Sequence, residues 1–372
     1  MLLNSLILMT ILFTCHHYIK SRTDKKQCGL PCSEFRPNLS EQHNETNFMT
    51  KTAQDQLIET LQNIELEIVV TMTKKKRKAV LVGLEDFENK GDAAIAVGEL
   101  EMMAKLGIEL IDYCRFPCGH NDRERMFKIS EEFGGPKNVV IFGKGGGNFG
   151  SPKKDYLRYR MMQTFRSYDM IVLPQSVWFH RKKRRKATAL QYSSHAHNLF
   201  MMRDRYSFRY ISRYLPPSRF VLSPDSAFFV GSKARFFKPT VDIVWIKRED
   251  GEATKYKTPS FPSGISYTIT DWKCCWPTPK TGKLFDNLYL QAYNGFLFLQ
   301  RGRVVITDRL HGYIMSILLD IPTVIIDNRI KKLSHYRNTW TKGLPKVVMA
   351  RGPTDALSKA KQLLEKYYDI KY

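Results

Sequence analysis

The stretch that constrains the fold most strongly covers residues 304–340. It opens with a short apolar run, Val304–Thr307, which predicts a buried strand. A sharp turn follows, after which apolar residues recur at helical spacing as far as Leu318. Pro322 then precedes a second apolar run, Thr323–Ile326. A strand–helix–strand unit of this kind is typical of a parallel α/β sheet.

Three basic side chains follow the strands of this unit. Arg309 and His311 lie in the turn after the first strand, and Lys332 lies just past the second. Ligands of open α/β sheets bind outside the carboxyl ends of the strands, and a helix N-terminus favours anions. The convergence of the three side chains therefore predicts an anion-binding site. Taken alone, a histidine at a helix start is more often a cap or a packing residue than a catalyst.

The alternation of strand and helix continues on both sides of this unit. It runs through residues 79–222 and resumes at Val241. Small, basic and proline residues at positions 231–239 favour a domain boundary there. We therefore predict an α/β fold with two Rossmann-like domains facing a crevice, an N-terminal domain over residues 77–234 and a C-terminal domain over residues 235–372.

The N-terminus begins with an apolar run, Leu2–Cys15, which is short for a membrane span of about 20 residues. We interpret residues 1–20 as a signal peptide or a signal anchor, and the polar residues 21–76 as a stem. The nearest basic residues follow the apolar run. By the positive-inside rule, that order would leave the rest of the chain in the cytosol.

Two features favour a lumenal body instead. Asn38 and Asn44 each begin an N-glycosylation sequon. Six of the seven cysteines lie outside the apolar run, which suits a compartment that permits disulfides. We therefore predict attachment to a secretory-pathway membrane through the N-terminal segment, in a type II orientation.

The formal net charge of +23 indicates an anionic partner: nucleic acid, a membrane surface, acidic small molecules or glycans. Much of the excess lies in two runs, Lys74–Lys78 and Arg181–Lys186, for which a solvated surface is the alternative explanation. The sequence contains no recognisable nucleic-acid-binding module, so we expect no nucleic-acid partner. It also lacks cysteine and histidine at the spacing of a zinc site.

A glycine-rich turn at residues 144–150 follows another predicted strand, Val139–Gly143. The turn brings the backbone close to a ligand or to a neighbouring helix. It has neither the GxxxxGK[ST] spacing of a phosphate loop nor the GxGxxG spacing of a dinucleotide fold, so we assign no nucleotide binding.

Short motifs in a fixed order carry a resemblance that covers about residues 79–340. The chain resembles the polysaccharide pyruvyl transferase family, whose members move the enolpyruvyl unit of phosphoenolpyruvate onto a sugar as a pyruvate ketal. The motifs are Asn89-Lys90-Gly91-Asp92, Gly145-Gly146-Gly147-Asn148, Leu173-Pro174-Gln175-Ser176, Arg203-Asp204 with Ser207, Pro224-Asp225, Lys247-Arg248-Glu249-Asp250, Thr307-Asp308-Arg309-Leu310-His311-Gly312 and Asp327-Asn328 followed by Lys332.

The resemblance implies a fold similar to the GT-B arrangement and a set of site residues. It implies that His311 is the catalytic residue and that Arg309, Arg203 and Lys332 bind the phosphoenolpyruvate donor. Five further positions belong to loops that either touch a ligand or shape the site: Asn89, Asp92, Gly146, Gln175 and Ser176.

The resemblance also bears on cofactors, partners and location. It implies no cofactor and no metal, because cationic side chains supply the charge stabilisation. It implies a glycan acceptor, and terminal galactose is the family-level expectation. The predicted anchor and stem make the layout similar to that of Golgi glycan-modifying transferases.

Two other classes of protein stay open on the sequence. The first is a metal-independent glycosyltransferase of GT-B type that uses a nucleotide sugar. The second is a non-catalytic protein that binds acidic glycans through its positive charge. The donor substrate distinguishes a glycosyltransferase, which uses a nucleotide sugar, from a pyruvyl transferase, which uses phosphoenolpyruvate. Glycan binding that is weakened by salt but survives the loss of His311 would identify a non-catalytic binding protein.

Overall fold

The computed structural model describes residues 52–74, 76–85, 89–179, 184–272 and 281–371. Seven strands form a first sheet, in the order β2-β1-β3-β5-β6-β7 with β4 beside β5, and every pairing is parallel. The strands are β1 (Lys78–Leu84), β2 (Glu109–Arg115), β3 (Val139–Gly143), β4 (Gly146–Phe149), β5 (Met170–Val177), β6 (Asn198–Met202) and β7 (Phe220–Leu222).

Five strands form a second sheet, in the order β12-β11-β10-β8-β9, again with parallel pairings only. The strands are β8 (Val241–Ile246), β9 (Tyr267–Thr270), β10 (Gly302–Thr307), β11 (Thr323–Ile326) and β12 (Val347–Ala350). The chain passes from the first sheet to the second between Leu222 and Val241, a span that contains the predicted boundary.

Helices cover both sheets. They are α1 (Ala53–Thr73), α2 (Lys90–Lys105), α3 (His120–Glu132), α4 (Pro152–Thr164), α5 (Arg184–Ser193), α6 (Arg205–Ile211), α7 (Leu284–Leu299), α8 (Leu310–Leu318), α9 (Lys332–Tyr336) and α10 (Pro353–Tyr368). Short 3₁₀ turns occupy Gly135–Lys137, Pro217–Arg219 and Ser226–Val230, and a π-helical turn covers Arg337–Thr341. The predicted α/β fold with two parallel-sheet domains is confirmed.

Helix α1 lies within the segment that the sequence analysis assigned to the stem, residues 21–76, yet it is packed against the folded body. Ile58, Leu61 and Val69 are buried in the main hydrophobic core. Gln62 Nε2 donates to the Phe228 carbonyl at 2.8 Å. The assignment is therefore corrected for Ala53–Thr73: this amphipathic segment forms a helix whose apolar face is covered by the domains.

One continuous core joins the two domains on one side of the molecule. It contains apolar side chains of α1, α2, α7 and α8, and α2 packs against both α7 and α8. The two remaining core clusters each belong to one sheet, so the domains are fastened through their shared helices. The crevice lies where α2 and α8 begin, because Gly91 of α2 meets His311 of α8 there.

Both sheets change their winding direction beside the crevice. After β1 the chain places β2 on one side of it and β3 on the other, and after β8 it places β9 and β10 on opposite sides. Ligands of open α/β sheets bind at the carboxyl ends of strands at such switch points. The ends of β1, β3, β8 and β10 are followed by residues 89–92, 144–147, 247–252 and 308–311, which include or overlap four of the eight motifs singled out in the sequence.

Several sequence predictions fall partly or wholly outside the described residues. These are the N-terminal apolar run, the sequons at Asn38 and Asn44, and parts of both basic runs. Within the described ranges, no helix is both long and apolar enough to cross a membrane. Cys114 and Cys118 form a disulfide at the end of β2.

Candidate active site

A buried carboxylate joins His311 to Arg203 across the two domains. His311 Nε2 lies 3.4 Å from Asp225 Oδ2, and Arg203 NH1 donates to the same oxygen at 2.8 Å. The Asp225 and Arg203 side chains are each 1% exposed, whereas His311 keeps 12% of its side-chain surface open. His311 is therefore the most open member of the group.

The Asp225 carboxylate stays ionised despite its burial. Burial by itself raises its pKa, but His311 and Arg203, together with the Ala227 backbone N–H, hold that pKa below the ordinary value. An ionised carboxylate beside an imidazole orients the ring and stabilises its protonated form. The pair can therefore support proton transfer by His311.

The first turn of α2 is built around the His311 ring. Asn89 caps the helix by accepting from Gly91 N at 3.1 Å, and it donates to Asp92 Oδ2 at 2.6 Å. A Cβ at Gly91 would lie 2.7 Å from His311 Nδ1, so only glycine leaves room for the imidazole. The structure thus places Asn89 and Asp92 in the cap that brings Gly91 against His311.

The motif in the second half of β5 fixes Arg203 and the glycine turn. Ser176 Oγ accepts from Arg203 Nε at 2.8 Å and donates to Asp204 Oδ2 at 2.9 Å. Gln175 is fully buried and donates to the Lys144 carbonyl at 2.8 Å. These contacts make Ser176 and Gln175 supports for the site.

The glycine turn lies over two cations. Gly146 has a φ of 123°, a left-handed conformation that favours glycine. A Cβ at Gly147 would lie 2.4 Å from Lys332 Nζ and 3.4 Å from Arg203 NH2. The missing side chain at Gly147 therefore lets Lys332 of the C-terminal domain and Arg203 of the N-terminal domain converge on one point.

Lys332 is buried and paired with a carboxylate. Its Nζ donates to Glu252 Oε1 at 2.7 Å, and Arg248 NH1 lies 2.8 Å from Glu252 Oε2. Burial lowers the pKa of Lys332, and the nearby Glu252 opposes that shift. Burial raises the pKa of Glu252, but Lys332 and Arg248 lower it below the ordinary value. Lys332 and Arg248 thus share a carboxylate partner, which a ligand with a higher negative charge could displace.

Arg309 is held by two acids. Its Nε donates to Asp271, and its NH2 donates to Asp271 Oδ2 at 2.6 Å and to Asp250 Oδ2 at 3.2 Å. Asp271 is 3% exposed and Arg309 is 4% exposed. The donor-binding role implied for Arg309 stays a prediction, and the geometry adds a structural role for the residue.

We expect Arg309→Ala to lower the free energy of unfolding by about 3–5 kcal/mol, because it leaves a buried carboxylate without its partner. Urea denaturation of the variant measures this loss. The double variant Arg309→Ala/Asp271→Asn should recover part of it, since the uncompensated charge is removed. Unchanged stability with a weakened donor affinity would instead make Arg309 a donor ligand only.

A cavity of about 300 Å³ lies between the domains, above Gly147. The N-terminal domain lines it with Gly147, Ser151 and Trp178. The C-terminal domain lines it with Arg248, Asp250, Gly251, Glu252 and Arg329. The predicted crevice is therefore present beside the cationic cluster.

Three residues of this arrangement were absent from the predicted site. Asp225 and Glu252 lie in or beside motifs visible in the sequence. Asp225 pairs with His311, 86 positions away, and Glu252 pairs with Lys332, 80 positions away. A single acidic residue gives no sign in the sequence of so distant a partner. Trp178 lies two residues beyond the Gln175-Ser176 motif, and nothing in its neighbours distinguishes it from a core residue.

Two parallel sheets with cationic side chains clustered beyond the carboxyl ends of their strands define an α/β protein suited to an anionic substrate. A model of the polysaccharide pyruvyl transferase family matches residues 89–329, which include His311, Arg309, Arg203 and Asp225. The chain belongs to this family, and it is accordingly a transferase of the pyruvyl class.

Relatives of the chain agree with this assignment. Pyruvyl transferase 1 of Schizosaccharomyces pombe is 30% identical over 317 residues, which cover 80% of this chain and 77% of that protein. EpsO of Bacillus subtilis, which carries a provisional pyruvyl transferase name, is 29% identical over 56% of this chain and 71% of its own. A functionally uncharacterised Klebsiella pneumoniae structure shares the fold, with a TM-score of 0.54 and 16% identity over 78% of this chain and 99% of its own.

Proposed function

We propose that the protein transfers the pyruvyl unit of phosphoenolpyruvate to a sugar residue of a glycan, forming a pyruvate ketal, with terminal galactose as the first acceptor to test. The observation that carries the proposal is the convergence of Arg203 and Lys332 beneath Gly147, with His311 joined to Arg203 through Asp225. This arrangement offers two positive charges and a proton carrier at one place.

The donor would be held by charge matching. Phosphoenolpyruvate carries a phosphate and a carboxylate, and arginine and lysine are the side chains that bind such groups most strongly. Lys332 is paired with Glu252 in the structure, so a bound phosphate would compete with that carboxylate. The route needs no metal, because Arg203 and Lys332 supply the charge stabilisation.

The chemistry assigns His311 the proton transfers. Protonated His311 would deliver a proton to the methylene carbon, which makes C2 an oxocarbenium-like electrophile. One sugar hydroxyl then attacks C2, phosphate leaves, and a second hydroxyl closes the ketal ring. Of the two hydroxyl protons released, one restores protonated His311 and the other leaves on the phosphate.

Lys332→Met should raise the KM for phosphoenolpyruvate by at least about tenfold, because it removes a charge-assisted hydrogen bond to the donor. Steady-state kinetics at saturating acceptor measure this change. Lys331→Met is the matched control, since that neighbouring lysine is exposed. A donor KM that stays at the wild-type value in Lys332→Met would remove Lys332 from the donor site.

A thermal-shift comparison tests the donor separately from turnover. We expect phosphoenolpyruvate to raise the Tm of the wild-type protein, while nucleotide sugars leave it unchanged. The stabilisation should be lost in Arg203→Lys, because lysine cannot reproduce the two hydrogen bonds from Arg203 to Ser176 and Asp225. Stabilisation by a nucleotide sugar alone would favour a glycosyltransferase.

The location belongs to the same proposal. The disulfide between Cys114 and Cys118 suits an oxidising compartment, and so do the sequons at Asn38 and Asn44. We therefore propose a Golgi or other secretory-pathway enzyme, held at the membrane by its N-terminal segment with the catalytic body in the lumen. A shift in apparent mass after treatment with an N-glycosidase would support this location, and a cytosolic, unglycosylated protein would contradict it.

A further inference from the structure

We propose that the cavity above Gly147 is the acceptor subsite and that it takes an electrically neutral sugar residue, with the Trp178 ring as its stacking surface. The inference rests on the proposed function, because it assigns the second substrate of the same reaction.

The charges of the cavity lining differ from those of the neighbouring donor site. Arg248 pairs with Asp250 at 2.6 Å and with Glu252 at 2.8 Å, and Arg329 completes the charged lining. The lining therefore contributes two cations and two carboxylates and carries no net charge of its own. Lys332 does not line the cavity but adjoins it through its contact with Glu252 at 2.7 Å, and it approaches Arg203 beside Gly147. A trianionic donor is favoured at those two cations, and a neutral polyol is favoured in the cavity beside them.

The lining also has the chemistry that a sugar requires. Asp250 and Glu252 keep 29% and 28% of their side-chain surfaces open, and their oxygens can accept hydrogen bonds from hydroxyl groups. Trp178 is half-buried and offers an aromatic ring to the C–H face of a pyranose. Pockets with one apolar wall and a few convergent polar groups are typical of small-molecule sites between domains.

The position of the cavity suits attack on the donor. Gly147 lines it, and a Cβ there would lie 2.4 Å from Lys332 Nζ and 3.4 Å from Arg203 NH2. Because Gly147 has no side chain, the two cations lie close to the edge of the cavity. A sugar hydroxyl can then reach a donor held by those cations.

Steady-state kinetics with phosphoenolpyruvate and a galactoside test the assignment. Trp178→Ala should raise the acceptor KM by about tenfold while the donor KM stays within twofold. Trp178→Phe should recover most of the loss, because it restores an aromatic surface. Phe236→Ala is the control, since Phe236 is 47% exposed and does not line the cavity.

A second variant keeps the test independent of how Trp178→Ala folds. Ser151 makes no side-chain hydrogen bond as the N-cap of α4, so Ser151→Phe fills the cavity with little cost to that helix. It should abolish acceptor-dependent turnover and preserve the Tm increase caused by phosphoenolpyruvate. An unchanged acceptor KM in both Trp178→Ala and Ser151→Phe would overturn the assignment.

The neutral character of the ligand is tested by comparing a galactoside with the corresponding galacturonide. We expect kcat/KM for the galactoside to be at least about tenfold higher, because the balanced lining does not compensate an added carboxylate. A preference for the galacturonide would contradict the proposed ligand class. If the wild-type protein releases no phosphate with any acceptor, the proposed function itself fails. If the wild-type protein turns over normally but Trp178→Ala and Ser151→Phe leave the acceptor KM unchanged, only the acceptor subsite is refuted.

Discussion

Replacing His311 by alanine is expected to lower turnover by about 10²–10⁴-fold while the protein stays folded. His311 is the most open member of its group, and its partner Asp225 also pairs with Arg203. The variant keeps the Arg203–Asp225 pair, so the thermal transition should change little. Phosphate release and thermal denaturation measured on the same preparation check both parts.

His120→Ala is the matched control for this variant. His120 lies at the start of α3 with 69% of its side chain exposed and pairs with Glu124 across one helical turn. We expect wild-type turnover from it. Appreciable turnover in His311→Ala would contradict the catalytic assignment, whatever the control shows.

Removing residues 1–73 is expected to prevent the catalytic body from folding. Ile58, Leu61 and Val69 of α1 are each at most 4% exposed. Their burial contributes about 5–9 kcal/mol at 1.5–3 kcal/mol per side chain, which is comparable to the whole stability of a typical domain. A protein that begins at residue 52 retains the helix and its capping residue Thr52, and we expect it to be soluble and folded.

Leu61→Ala tests the same packing without a truncation. It should lower the free energy of unfolding by about 2–5 kcal/mol, because it leaves a cavity in the shared core. Val70→Ala is the control, since Val70 lies on the same helix and is 47% exposed. A stable, active protein that begins at residue 74 would show that α1 is dispensable.

The two domains were largely predictable, because buried parallel strands appear in a sequence as short apolar runs. β10 and β11 are continuous apolar runs bounded by turn residues, and all but one of their ten residues are buried. The position of helix α1 was harder to predict. Ten of its 21 residues are apolar, but a polar stretch precedes it, and only contact with both domains decides that it folds against them.

The site was predictable in part, through the motifs that follow the strands. His311 and Arg203 are brought together as the order of the motifs suggested, and Lys332 joins Arg203 at Gly147. Their acidic partners were not predictable, because pairing between distant residues depends on the tertiary fold. Asp271, which holds Arg309, follows an edge strand of the second sheet and carries no motif of its own.

Phosphate release from phosphoenolpyruvate, with and without a panel of galactosides, tests the central claim most directly. The protein for this measurement should begin at residue 52 and so include α1. We predict release that depends on the acceptor, together with a gain in acceptor mass equal to one ketal-linked pyruvyl group. A folded protein that is stabilised by phosphoenolpyruvate but releases no phosphate with any galactoside would contradict the proposed acceptor. The absence of both stabilisation and release would contradict the proposed donor.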